Sequence, residues 1–190
     1  EWASNGLVRN LDDLVATDKE IYEKFYESMF ESIKGVAKTD YLPGFPFAYV
    51  SCDLFYNKDM FDAAGLEYPN ENWTWDDLAD AAKKLTDPAA GVYGIAAGYA
   101  DQAGFYNTVP MFGGYIVNDD KTKSGFSLKE TRDGIKCWVD LMEAGYSPSQ
   151  DSITENPDSQ QFMAGKIAML VAGDWYAAQF DSDDSFKDKC

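Results

Sequence analysis

The sequence has 190 residues, 45% hydrophobic and 15% aromatic, enough apolar side chain for one packed domain or one and a fraction and too much for wholesale disorder. Its 16 basic and 33 acidic residues leave a formal charge of −17, a surface that repels phosphate backbones and anionic lipid headgroups and argues against a nucleic-acid partner. Histidine is absent and Cys52, Cys137 and Cys190 are widely spaced, so Ser-His-Asp and Cys-His triads, His-ligated metal sites and CxxC elements are excluded; no metal, cofactor or disulfide is expected.

In chain order, residues 18–36 read as one amphipathic helix. Ile21, Phe25, Met29 and Ile33 recur every four residues between charged positions, with Asp18 as the predicted cap and Gly35 as the predicted end. The apolar face needs a cover that the strands of this sequence do not obviously supply, so it is expected to stay partly exposed or to pack unusually. Residues 41–49 contain Pro43, Gly44 and Pro46 and read as an extended crossing. Residues 50–56 follow as a strand, and Lys58–Ala64 as a helix ended by Gly65. Thr74 caps a predicted helix with Leu78, Ala81, Ala82 and Leu85 on its buried stripe, stopped by Asp87-Pro88. Residues 92–97 read as a buried strand, 101–112 as helix, 115–117 as strand and 118–120 as a turn. Ser127 to Glu130 has capping-box spacing ahead of a helix that buries Leu128, Ile135, Trp138, Leu141 and Met142. A short helix over 158–164 ends at Gly165. The stretch 166–172 is too apolar for a solvent face and reads as a central strand. Gly173-Asp174-Trp175 turns into a last helix, and the acidic stretch Asp181–Asp188 reads as a frayed end. Strands and helices alternate from about residue 50, which predicts an α/β layered domain. The opening without Met and the unfinished ending read as those of a fragment.

Two chemistries fit these residues. Plentiful carboxylates, including Asp76-Asp77 and Asp119-Asp120, raise the possibility of a glycoside-active enzyme, which needs two carboxyls facing each other across a cleft. The aromatic richness points instead to sugar binding, because sugars pack their C–H faces on indole and phenol rings and offer hydroxyls to carboxylates and amides. Trp138 falls on a core stripe, and Trp73 and Trp75 flank a helix start. Trp175 differs, since it follows the end of a buried strand, where ligands collect in α/β sheets. Tyr106 and Asn107, in an irregular Gly-containing stretch, are further candidates.

The run Phe55-Tyr56-Asn57-Lys58-Asp59-Met60-Phe61, then Ala64-Gly65-Leu66 and Trp73-Thr74-Trp75-Asp76-Asp77-Leu78, resembles bacterial extracellular solute-binding proteins of family 1. The segments 3–7, 113–115 and 162–169, and Gly173-Asp174-Trp175, fit the same family in the same order. The resemblance implies a type II periplasmic-binding-protein-like α/β fold, here incomplete. Residues 1–45 would be a remnant of the first lobe, 46–53 a hinge crossing and 54–190 most of the second lobe. It implies that Trp175 stacks on the sugar with Asp174 and Gly173 at the cleft lip. Tyr106 and Asn107 would line the second lobe's side, and Tyr49 and Ser51 would sit in the hinge. Many relatives carry an acidic residue near Ala48; the nearest carboxylate here is Asp53.

The implied activity is non-enzymatic capture of a sugar or oligosaccharide for an ABC importer. The implied partners are the importer's permease subunits. The resemblance further implies a monomer that is extracellular or periplasmic and anchored, at full length, as a lipoprotein.

Overall fold

The computed structural model describes residues 2–98 and 101–190. Glu1, where the predicted first-lobe remnant begins, lies outside them. The chain divides into two units, Glu1–Tyr49 and Val50–Cys190.

In the first unit the single helix predicted over 18–36 is two, α2 (Lys19–Tyr22) and α3 (Glu27–Ala37), and a further short helix, α1 (Asp12–Thr17), precedes them. The break at residues 23–26 has a packing cause. On an unbroken helix Phe25 and Phe30 would lie about 140° apart. With the chain turned between them, Phe30 stacks on Tyr22 (centroids 4.2 Å apart) and meets Phe25 and Phe45 edge-on. Phe30 is thereby fully buried, whereas Ile21, Phe25, Met29 and Ile33 all remain partly exposed, as expected for a face without a sheet. Asp18 makes no side-chain cap, and α3 runs past Gly35 to end at Lys38 in the left-handed conformation. An apolar groove of about 660 Å3, lined by Trp2, Val8, Ile33, Val36 and Pro43 among others, stays open.

The second unit is built on strands β1 (Cys52–Tyr56) and β2 (Met169–Gly173), which pair antiparallel. On its other edge β2 and the residues before it meet the segment 93–96 through the parallel bridges Tyr93–Ile167 and Ala96–Leu170, so β2 is central. The predicted strand over 92–97 forms no continuous ladder; it makes these two bridges and an antiparallel one from Val92 to Asp87. Its remaining N–H groups go elsewhere, Ile95 to the Tyr146 carbonyl and Ala97 to Ser147 Oγ. Side chains of β2 alternate between two cores. Met169 and Val171 pack with Phe61, Leu78, Ala82, Trp138 and Leu141. Leu170 and Ala172 pack with Phe162, Phe180 and Phe186. Burial on both faces explains why this stretch carries no polar residue.

Helices α4 (Lys58–Ala64), α5 (Trp75–Leu85), α6 (Tyr106–Met111), α7 (Lys129–Glu143), α8 (Gln150–Glu155), α9 (Asp158–Met163) and α10 (Trp175–Ser182) surround this sheet. Thr74 closes a full capping box with Asp77, whose carboxyl is held below the usual range by hydrogen bonds from the Thr74 side chain and backbone. Gly65 and Gly165 follow their helices at φ +65° and +67°, the left-handed region that favours glycine.

Three further expectations are corrected. Residues 115–117 form no strand, because the Tyr115 N–H and carbonyl both bond to the buried Thr131 hydroxyl, leaving one bridge, Val117–Ser124. The Ser127 capping box is not made. Leu128 is the cap residue, without a side-chain bond, and its N–H closes a turn onto the Gly125 carbonyl. The acidic ending is not frayed around Phe186, whose ring is buried against Phe162 and Phe180.

Candidate functional site

Antiparallel pairing brings the start of β1 beside the end of β2. Cys52 stands opposite Gly173 and Asp53 opposite Ala172. One step past the ladder, the Asp174 N–H donates to the Ser51 carbonyl at 3.0 Å, which fixes the chain where it leaves the strand. Ser51 Oγ donates to Asp53 Oδ2 at 2.8 Å. Immediately afterwards α10 begins, and Trp175 at its first position is 51% exposed.

A second element joins this strand end. Asp101–Phe105 forms a π-helical turn, kinked at Gly104 and continuous with α6. The Gln102 carbonyl accepts from the Asn107 side-chain amide at 2.6 Å and from the Cys52 thiol at 3.6 Å. Two donors on one carbonyl tie the turn, the helix start and the first residue of β1 together. Tyr106 begins α6 beside Asn107, half exposed, with its ring edge-on to Phe105.

Ser51, Asp53, Gly173, Asp174 and Trp175 thus gather at one strand end, and Asn107 is linked to it through Gln102. Tyr49 is exposed and belongs to the first unit. Asp53 and Asp174 form no ion pair among the described residues. The group therefore offers carboxylate and hydroxyl oxygens, an amide and an open indole.

Sequence reading missed Gln102, which acts through its backbone and so leaves no side-chain signal. It placed Cys52 at the crossing as a free thiol but not among the site residues, whereas strand register sets it opposite Gly173 in the group. It also missed a cavity of about 400 Å3 that shares the π turn and β2 with this group, lined by Ala96, Ala103, Gly104, Trp138, Asp158 and Val171 among others. The core assignment of Trp138 holds, since its indole N–H donates to the Thr108 hydroxyl at 3.1 Å. The carboxylate pairs considered for glycoside chemistry have local duties. Asp77 serves the α5 capping box, and Asp119-Asp120 sits in an exposed turn closed by Lys121 N–H on the Asn118 carbonyl.

Comparison with known proteins gives a consistent picture. The family described as bacterial extracellular solute-binding protein matches residues 1–188. The mannitol-binding protein of Pseudomonas aeruginosa is 26% identical over 175 residues, 90% of this chain and 38% of that protein. The sn-glycerol-3-phosphate-binding periplasmic protein UgpB of Escherichia coli K12 is 40% identical over 86 residues, 43% of this chain and 18% of that protein. Among solved structures, the ABC substrate-binding protein Lmo0181 of Listeria monocytogenes, in complex with cycloalternan, superposes with a TM-score of 0.71 at 28% identity. That alignment covers 96% of this chain and 47% of the other. The chain thus spans less than half the length of these relatives. With a family match over nearly its whole length and a shared α/β fold, the chain belongs to the bacterial extracellular solute-binding protein family.

Proposed function

We propose that this chain contributes the second lobe of a carbohydrate-binding component of an ABC importer, holding a neutral sugar or polyol by aromatic stacking and hydrogen bonds. The observation that carries the reading is the half-exposed Trp175 indole at the carboxyl end of the central strand, beside Ser51, Asp53 and Asp174. Carbohydrate hydroxyls are donors that suit carboxylate and hydroxyl oxygens, and their C–H faces suit an indole. The two carboxylates favour a neutral ligand over a phosphorylated one, because an anion placed beside them is repelled. Mannitol and cycloalternan, named for two of the relatives, are neutral; sn-glycerol 3-phosphate is not.

In this reading residues 1–45 are first-lobe remnant, 46–53 the crossing and 54–190 the second lobe. The division at Tyr49 supports the placement of the crossing. Tyr49 would add a polar contact from the crossing, and Tyr106 and Asn107 one from the wall. The protein works as a monomer, extracellular or periplasmic and lipid-anchored, and delivers its ligand to permease subunits when the lobes close. It binds and does not catalyse.

Calorimetric titration tests this with the protein expressed from its full open reading frame, against D-mannitol, maltooligosaccharides and sn-glycerol 3-phosphate. Stoichiometric binding of a neutral ligand, with that ligand recovered intact after long incubation, is expected. Preferential binding of the phosphate ester, or appearance of a hydrolysis product, would contradict the reading.

A further inference from the structure

The last residue of β2 bears on the indole next to it. Gly173 is buried, and its φ lies outside the left-handed region, so any L-residue could adopt its backbone. What forbids a side chain there is one neighbour. A Cβ built on Gly173 would stand 1.8 Å from Cζ3, 2.2 Å from Cε3 and 2.3 Å from Cη2 of Trp175. These are three consecutive atoms of the benzo ring, and they are the nearest three atoms to that position. Four other glycines with crowded Cβ positions, Gly94, Gly114, Gly125 and Gly134, meet backbone first. Gly173 alone among them is shut in by the side chain of a candidate ligand-binding residue.

From this we infer that Gly173 is a positioning residue for Trp175: its missing Cβ is the slot into which the benzo ring folds back, and that slot sets the direction of the exposed part of the indole. Two neighbouring contacts fix the slot. Cys52, opposite Gly173 in the ladder, anchors to the Gln102 carbonyl, and Asp174 anchors to the Ser51 carbonyl. The backbone on which the ring rests is therefore held on both sides, so a Cβ must move the ring rather than the strand. A change of rotamer at Trp175, whose indole is half exposed, makes that displacement possible without unfolding. The inference rests on the ligand-binding reading for its consequence, and on geometry alone for its cause.

The test is a cycle of Gly173→Ala, Trp175→Ala and the double variant in the full-length protein, read in two ways. In protein labelled with 5-fluorotryptophan, with the Trp175 resonance identified by Trp175→Phe, Gly173→Ala should shift that fluorine resonance and increase its broadening by a soluble nitroxide. The resonances of Trp2, Trp73, Trp75 and Trp138 should stay in place. In titrations with D-mannitol and maltotriose, Gly173→Ala should weaken binding about tenfold on its own and less than twofold when added to Trp175→Ala. Should Gly173→Ala fold poorly, the double variant decides: recovery of the thermal midpoint of Trp175→Ala supports the slot. Equal destabilisation in both backgrounds, or an unmoved Trp175 resonance, overturns the inference. Loss of the ligand effect alone, with the resonance shifted, overturns the ligand-binding reading and leaves the slot standing.

Discussion

The two units treat similar apolar content differently. In the second, every position from Ile167 to Ala172 finds a partner, because β2 has β1 on one edge, residues 93–96 on the other and a cluster on each face. In the first, α3 is amphipathic too, though less strongly than α5 or α7, yet only Phe30 of its residues is buried and Val36 is 81% exposed. A helix supplies one stripe and needs an opposing layer to hide it. The second unit has a sheet to provide that layer. The first has an aromatic group of Tyr22, Phe25, Phe30 and Phe45. Amphipathic patterning thus marks which face wants burial and not whether burial occurs.

The difference sets the sizes of mutational effects. Phe162→Ala empties a fully buried site that touches Phe180 and Phe186, and should destabilise the second unit by about 3–5 kcal/mol in urea unfolding. A cost below about 1 kcal/mol would mean that this core is loose. Phe30→Ala should abolish amide-exchange protection across α3 while leaving the amides of β1 and β2 protected. Equal loss in both units would dissolve the distinction drawn between them.

Cys137 gives a smaller, pH-dependent effect. Burial against α5 and α6 pushes its thiol up to about 11 from an ordinary 9.0. Between those values the folded state keeps a proton that the unfolded state releases, so stability present below pH 9 is lost as pH rises through 11, on the order of 2 kcal/mol. Urea midpoints at pH 8 and pH 11 should converge in Cys137→Ala relative to the parent, and an unchanged difference would contradict the burial. The smallest effect belongs to Val36→Ser, within about 0.5 kcal/mol for the isolated 190-residue chain, because the side chain has little to lose. A larger cost would show that this face is covered in solution.

Local punctuation was legible in the sequence. Thr74 and Asp77 form the capping box, Gly65 and Gly165 end their helices, and the unbroken apolar stretch before Gly173 is the central strand. What escaped reading depended on distant partners. The break in the first helix answers to Phe45, the missing strand at Tyr115 to Thr131, and the ordered ending to Phe162 and Phe180. The candidate site divides in the same way. Trp175 could be picked out because a strand end followed by a helix is a local pattern. Gln102 contributes a carbonyl that any residue would carry, and the crowding at Gly173 is visible only once the indole has a position.

The central claim is that Trp175 is the platform on which a neutral sugar or polyol rests. The direct measurement is calorimetric affinity of the full-length protein and of Trp175→Ala for the tightest-binding neutral ligand, with folding of the variant checked by circular dichroism. The account predicts a loss of about 1–3 kcal/mol in binding free energy with the fold retained. An unchanged affinity in a folded Trp175→Ala protein would contradict it and move the binding site away from this strand end.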